Sequence, residues 1–404
     1  MDALQDKFKK LGVDNAPGQE TRQHTGGVEL RGEKIAGTPV DFSHGDVDAF
    51  PPAPGSYEAF SDGFREGATQ AYTEYRGRQR LRIELAGKLA DFSGALIDAD
   101  REIILTPGTQ GALFLAMGAN VIRGDKVAIV EPDYFANRKL VEFFEAELVP
   151  IPMDYFGACG GGGLDLDRLE ACFRTGVRLF LFSNPNNPTG AIYTLAEIQA
   201  IATLAERYGV RLIVDELYSR QIFDDYKFTH LRSLNAIDPE NLLTLMGPSK
   251  TESLSGFRLG AAFGSSSMIE RMEKLQAIVS LRAAGYCQAV LKTWFSEPDG
   301  WIAARTAAHQ TIRDEIIAEF QAVEGFRVRK TEGGSYLFPQ MPDLSLSAVE
   351  FAKALRHLAS VSVTPGTEFG SQFTDSFRIN FSQDRRAAVQ AIQNIIEIVN
   401  RYRI

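Results

Sequence analysis

Lys250 stands in MGPSKTESLSGFRLG, a Gly/Ser/Pro-rich turn between the apolar runs LLTLM and LGAAFG, with Arg258 eight residues further on. An ammonium held between two apolar strands must be paired, reach out to water, or take part in chemistry. Taken alone, the segment fits a surface-loop lysine equally well. Three other polar turns also follow apolar runs. After RLIV comes DELY, with Asp215 at the strand end and Tyr218 three residues later. A carboxylate leaving an all-apolar strand is unfavourable unless it meets a cation. After RLFLF comes SNPNNPTG, in which two X-Pro bonds constrain a polar loop carrying Asn184, Asn186 and Asn187. After EIIL comes TPGTQGA, a turn that opens a helix. There Gly108, Thr109 and Gln110 present free backbone amides at a positive helix end, which suits a phosphate, although Gly and Thr are also ordinary helix starters.

A phosphate-binding helix end, a carboxylate in need of a cation, an amide, a phenol and a lysine together describe a site for pyridoxal 5'-phosphate. Asp215 would keep the pyridine nitrogen protonated and make the ring an electron sink. Lys250 would form the Schiff base, and Asn187 and Tyr218 would hydrogen-bond the ring hydroxyl.

For these residues to meet, their strands must end along one edge. From Glu102 onward short apolar strands alternate with helical stretches, among them 138–145 and 195–208. This indicates βαβ units, a mainly parallel doubly wound sheet and a ligand site at the carboxyl ends of its strands. Helices are also expected over 57–72, 82–92, 268–295 and 303–320. The segments after residue 300 read as a smaller α+β unit. The expected organisation is an N-terminal arm with a substrate-side loop over 1–48, a large cofactor domain over 49–299 and a small C-terminal domain over 300–404. The arm carries one amphipathic patch, around Leu4, Phe8 and Leu11, and is expected to order on binding or at a subunit contact. ACGGGGLD reads as a flexible connection, since no strand end precedes it.

Composition narrows the class. A hydrophobic content of 44% and a charged content of 24% are ordinary for a globular protein, and the length suggests two domains. A net charge of -9 with no basic block argues against nucleic acid. Cys159, Cys172 and Cys287 have neither disulfide nor metal spacing. With no signal-like or membrane-length apolar run, a cytoplasmic protein is expected.

From about residue 38 onward the chain resembles a fold type I pyridoxal-phosphate enzyme of the class I/II aminotransferase family. NPNNPTG, DELY and SK followed by SLSGFRLG carry that resemblance, in that order. It implies an aspartate-aminotransferase-like large domain with Lys250 and Asp215 in the roles above, and Asn187 and Tyr218 at the ring hydroxyl. Tyr134, in EPDYFANR, would stack on the ring. Gly108, Thr109, Gln110, Ser249 and Arg258 would hold the phosphate. Arg378, in FRINFSQ, would clamp the substrate carboxylate as a bidentate partner, with Gly45 and Asn187 beside it. Tyr72 would reach the phosphate of a partner subunit, making the active unit a homodimer.

The wording of HGDVDAF, QAYTEYRG and PDYFANRKLVEFFE looks closest to a subgroup that oxidises L-arginine with pyridoxal phosphate and dioxygen. That resemblance implies an oxidative route to a 2-oxo acid, in some members with hydroxylation. Plain amino transfer to a 2-oxo acid is the alternative. A histidine at the substrate-side loop, His44, would then be placed to relay protons. Glu29, Asp46, Asp48 and Glu252 are the candidate carboxylates for a guanidinium. Gly247 departs from the family pattern, and one phosphate or substrate contact is expected to be missing there.

Overall fold

The runs IILTP, KVAIVE, VRLFLFS, RLIVD and LLTLM keep their charges at or near the ends and fill their middles with branched and aromatic residues. Such runs are stable as strands covered on both faces. A computed structural model describes residues 2–12, 27–157 and 161–404. The chain begins with α1 (Ala3–Leu11) and β1 (Val40–Asp41), followed by α2 (Ser56–Arg65), α3 (Ala68–Ala71) and α4 (Gln79–Ser93). The central region then runs β2 (Ile103–Pro107), α5 (Gly108–Asn120), β3 (Lys126–Glu131), α6 (Phe135–Phe143), β4 (Glu147–Pro152), α7 (Leu166–Arg174), β5 (Val177–Ser183), α8 (Leu195–Tyr208), β6 (Arg211–Asp215), β7 (Leu242–Met246) and β8 (Leu259–Gly264). The C-terminal part contains α9 (Ser266–Val279), α10 (Gly285–Gln288), α11 (Trp301–Gln321), β9 (Tyr336–Leu337), α12 (Ala348–Ala359), β10 (Val361–Ser362), β11 (Thr364–Pro365), β12 (Phe377–Asn380) and α13 (Arg385–Tyr402).

Seven strands form one sheet in the order β2-β8-β7-β6-β5-β3-β4. All neighbours are parallel except β8, which is antiparallel to both β2 and β7. The parallel strands therefore end along one edge, at Pro107, Glu131, Ser183, Asp215 and Met246. Because β8 runs the other way it starts at that same edge, and Leu259 pairs with Pro107. One reversed strand thus sets Arg258, the residue before it, beside the first turn of α5.

A separate apolar cluster joins Val40 and Phe42 to Ile316 and Phe320 of α11, Leu355 of α12 and Ile395 of α13. β1 pairs with β10, and the carbonyl of Phe42 accepts from Asn380 N at 2.7 Å. These contacts carry the loop after Phe42 to β12, more than three hundred residues later in the chain. The amphipathic patch of the arm is α1, which lies on α6 in the single chain. There Lys7 stands 4.6 Å over the Phe143 ring, and Asp2 caps the helix. Residues 13–26 of the expected arm lie outside the described residues.

Two expected helices are broken. The 57–72 stretch divides at Gly67, whose φ of +60° takes the chain out of helical geometry. The 268–295 stretch ends at Val279, where Leu281 adopts φ 63° and Arg282 N donates back to Ser280 O at 2.7 Å. No Gly or Pro marks that break in the sequence. ACGGGGLD also departs from a flexible connection in its described part. Residues 158–160 lie outside the described residues, but Gly162 N and Gly163 N donate to the Glu197 carboxylate at 3.0 and 2.9 Å. Glu197 at the same time completes a capping box with Thr194 at the start of α8. Glu197→Ala removes both sets of bonds and should lower unfolding stability by about 1–3 kcal/mol. Urea denaturation measures it, and an unchanged midpoint contradicts the anchoring role.

Candidate active site

At the end of β2 the backbone turns directly into α5. Gly108 has φ +76°, and a Cβ there would stand 2.5 Å from Arg258 Nη2. Glycine is required on both counts. Arg258 itself is in the left-handed region at φ 53°, and its Nη1 donates to Ser255 O at 2.9 Å. Thr109 Oγ1 is buried with no hydrogen-bond partner among the described residues. The unpaired amides of a helix start, a buried hydroxyl and a guanidinium make an anion cradle of the size and chemistry of a phosphate. Ser249 lines the same cavity, its Oγ only 3.5 Å from Leu259 O. Gly247 is explained by packing rather than by a missing contact. A Cβ there would lie 2.6 Å from Thr109 Oγ1 and 3.1 Å from Leu259 O, so a side chain would displace the cradle.

Beyond the cradle is a cavity of about 280 Å³ bordered by Lys250, Asp215, Tyr218, Asn187, Tyr134 and Gln110. Asp215 sits at the end of β6, paired in register with Ser183 on β5 and Leu245 on β7. Part of its surface opens to the cavity, and protein atoms enclose the remainder. Burial pushes its carboxyl up to about 6 against one hydrogen bond, from Leu217 N at 3.0 Å. Among the described residues no cationic side chain forms an ion pair with it. The carboxylate is thus suited to a cationic N–H arriving from the cavity, such as a pyridinium. Tyr134 O–H donates to Gln110 Oε1 at 3.0 Å, which ties the ring to the start of α5. The donor set and the unpaired buried atoms together fit pyridoxal phosphate.

Arg378, on β12, is 2% exposed and forms the far wall. Its Nη1 donates to Asn187 Oδ1 at 3.0 Å and its Nη2 to Ser43 O at 3.2 Å, while its Nε is buried without a partner. The guanidinium lies 4.3 Å from the Tyr336 ring centroid and 5.0 Å from that of Phe369. No carboxylate pairs with it among the described residues. A buried guanidinium held only by neutral groups is suited to an incoming carboxylate.

Several expected residues sit elsewhere. The substrate-side loop meets Arg378 through Ser43, whereas Gly45 packs against Ser382 and borders a wider outer cleft of about 1010 Å³. His44 borders both spaces, but both its nitrogens are engaged. Nδ1 lies 3.1 Å from Gly45 O and Nε2 lies 3.4 Å from Asp41, whose hydrogen bond raises the imidazole above its usual value. A proton relay would need that ring to leave its partners. Tyr72 does not border the cavity of its own chain. It is 81% exposed, under the guanidinium of Arg282. Glu252 is buried and bonded to Arg220, which also binds Glu297, so it has no face for a substrate guanidinium. Glu29 is exposed near Arg31 and borders neither space, while Asp46 and Asp48 border the outer cleft.

The sequence reading missed Ser43, Tyr336, Asp133 and Ser183. Asp133 is buried, accepts from Tyr134 N at 2.7 Å and Ser183 N at 3.1 Å, and is bonded to Ser183 Oγ. Burial raises its carboxyl to about 7. Ser183 Oγ in turn lies 3.1 Å from Asn187 N. Asp133 stands three residues after the apolar run VAIV, behind Glu131 and Pro132, so it lacks the direct strand-end signal that picked out Asp215.

A family model described as "Aminotransferase class I and II" matches residues 40–395, and the chain belongs to that family. It is accordingly an enzyme that uses pyridoxal 5'-phosphate. Among solved structures it resembles an aspartate aminotransferase from Rhodobacter sphaeroides 2.4.1, at 57% identity and TM-score 0.95 over 100% of both chains. Its curated relatives include the aspartate aminotransferase of Rhizobium meliloti (strain 1021), 27% identical over 355 residues and 85% of each chain. They also include the arginine–pyruvate transaminase AruH of Pseudomonas aeruginosa, 27% identical over 337 residues, which span 83% of this chain and 84% of that one.

Asp215 yields a pH-dependent prediction for the cofactor-free protein. Its folded pKa of about 6 lies above the ordinary 3.8, so its contribution to stability is full at low pH and is lost as pH rises through 6. Asp215→Asn should therefore raise the Tm of cofactor-free protein at about pH 8, leave it unchanged near pH 4, and weaken cofactor binding. A Tm gain that is larger at the acid end contradicts the assignment.

Proposed function

We propose that this chain is an aminotransferase that moves the α-amino group of an L-amino acid, with L-aspartate the first candidate, to a 2-oxo acid, and that it works as a homodimer. The observation that carries the reading is Arg378, a buried guanidinium that has no carboxylate partner among the described residues and borders the same cavity as Lys250. The relatives support amino transfer over the dioxygen-dependent route, since all three named above are aminotransferases. L-aspartate is taken from the neighbour with 57% identity. The burial of Glu252 against Arg220 removes one of the carboxylates an arginine side chain would have needed.

Bound pyridoxal phosphate supplies a carbonyl carbon for the amine and a protonated ring that accepts the electrons left when the Cα–H bond breaks. In the proposed scheme the amides of Gly108, Thr109 and Gln110, with Ser249 and Arg258, hold the phosphate. Asp215 keeps the proton on the ring nitrogen, and Tyr134 covers one ring face. Asn187 and Tyr218 hydrogen-bond the ring hydroxyl. Arg378 receives the substrate α-carboxylate and so orients the Cα–H bond toward Lys250. Lys250 Nζ, freed when the substrate amine takes its place on the cofactor, would serve as the base that takes up the α-proton and gives it back. The homodimer is supported by exposed apolar side chains, Tyr72 itself and Ile278 and Leu281 at 82% and 53% exposed in the segment leading to Arg282, whose guanidinium lies over the Tyr72 ring. In it Tyr72 would reach the phosphate in the partner subunit.

Holoenzyme given L-aspartate and 2-oxoglutarate should form oxaloacetate and glutamate with no uptake of dioxygen. Dioxygen consumption with L-arginine and no acceptor would overturn amino transfer. Arg378→Lys keeps the charge but loses the planar fork, and should raise KM for the amino acid by about tenfold or more. Steady-state kinetics reads this, and an unchanged KM contradicts the carboxylate role.

A further inference from the structure

The wall of the inner cavity contains a second phenol that the scheme above leaves without a role. Tyr336, on the two-residue strand β9, is 4% exposed and borders the cavity together with Tyr218, Lys250 and Arg378. Its hydroxyl lies 2.8 Å from that of Tyr218, and the two rings meet edge to face at 74° with centroids 5.3 Å apart. Its face lies under the Arg378 guanidinium at 4.3 Å. β9 pairs with β12 so that Tyr336 stands opposite Asn380, whose side chain also hydrogen-bonds the Tyr336 hydroxyl. One side chain therefore touches both the phenol at the ring end of the cavity and the guanidinium at its carboxylate end.

Resting on the proposed function, we infer that Tyr336 is a positioning residue with two separable tasks: its hydroxyl strengthens Tyr218 as a hydrogen-bond donor to the cofactor, and its ring face holds Arg378 in line for the substrate carboxylate. A hydroxyl has one hydrogen to donate. When Tyr218 gives its hydrogen to the cofactor's ring oxygen, its own oxygen is left to accept, and Tyr336 is the hydroxyl within reach to donate to it. Hydrogen bonds in such a chain polarise one another, so a phenol that accepts from one neighbour donates more strongly to the next. Without cofactor the bond runs the other way, Tyr218 O–H donating to the Tyr336 oxygen, and it reverses in this scheme once Tyr218 gives its hydrogen to the cofactor. Burial raises the Tyr336 phenol, but the Lys250 and Arg378 cations and the hydrogen bonds from Tyr218 and Asn380 outweigh it and bring it below the ordinary tyrosine value. Burial and the neighbouring Tyr336 move Tyr218 well the other way.

In the loaded protein the cofactor's ring oxygen would share a proton with the Lys250 nitrogen. A donor aimed at that oxygen weakens its hold on the proton and lowers the pH at which the proton leaves. Loss of the Tyr336 hydroxyl should have the reverse effect.

The test is a pH titration of the cofactor absorbance of the purified holoenzyme, paired with KM for the amino acid. Tyr336→Phe keeps the ring and loses the hydroxyl. The titration midpoint should rise by about half a pH unit or more, with KM unchanged. Tyr336→Leu loses both, and should raise the midpoint and also raise KM about tenfold. In a Tyr218→Phe background, Tyr336→Phe should give no further rise, because its hydroxyl acts through Tyr218. A midpoint unmoved by Tyr336→Phe, or moved equally in the Tyr218→Phe background, overturns the first task. A KM unmoved by Tyr336→Leu overturns the second. If the unmodified holoenzyme shows no pH-dependent cofactor absorbance, the proposed function fails and takes this inference with it. A normal titration of the unmodified protein with an unshifted Tyr336→Phe variant overturns this inference alone.

Discussion

Two buried groups of opposite sign, Asp215 at the end of β6 and Arg378 on β12, are held by neutral groups and, among the described residues, by no charged side chain. Desolvation makes either arrangement unfavourable for a protein that only needs to fold. Lone buried charges persist where the surroundings are built to hold them open for something else. Asp215 is fixed by the register of three parallel strands, and Arg378 by β11 and β9 on its two sides. The Lys250 turn borders the same cavity. Much of the remaining architecture serves to keep these three groups facing one another.

The reversed strand β8 is the second structural decision. In a wholly parallel sheet the residue before a strand lies at the opposite edge from the ligand site. Running β8 antiparallel moves Arg258 to the ligand edge, where Gly108 leaves room for its guanidinium. Gly260, directly opposite Thr106 in the ladder, lets the backbone of Gly108 and Thr109 pass close by, since a Cβ there would lie 2.5 Å from Gly108 C and Thr109 N. The small residues around the Lys250 turn are thus packing requirements of the cradle, and this is why Gly247 carries no side chain.

The residues legible in the sequence were those where polar groups interrupt apolar runs: Gly108 to Gln110, Asn187, Asp215 and Lys250. Each has a local signature, because desolvation makes a polar residue at the end of a buried strand stand out. The alternation of those strands with helices gave the mainly parallel α/β fold for the same reason. Ser43 and Tyr336 have no such signature. Ser43 contributes only a backbone carbonyl, and any residue has one. Tyr336 sits in a two-residue strand, too short to show a period, and its meaning comes from partners at 218 and 378. The break after Val279 was hidden because a left-handed Leu281 leaves an apolar run unchanged on paper. Glu252 was misjudged as a substrate partner because Arg220 and Glu297, which enclose it, are distant in sequence.

We propose Lys250 as the residue joined to the cofactor, in the cavity that Asp215 and Arg378 border. Borohydride reduction of cofactor-loaded protein makes that bond permanent, and mass mapping of proteolytic peptides then locates it. The added pyridoxyl phosphate mass is expected on the peptide containing Lys250 and on no other. The same mass on another lysine, or on none, would contradict it.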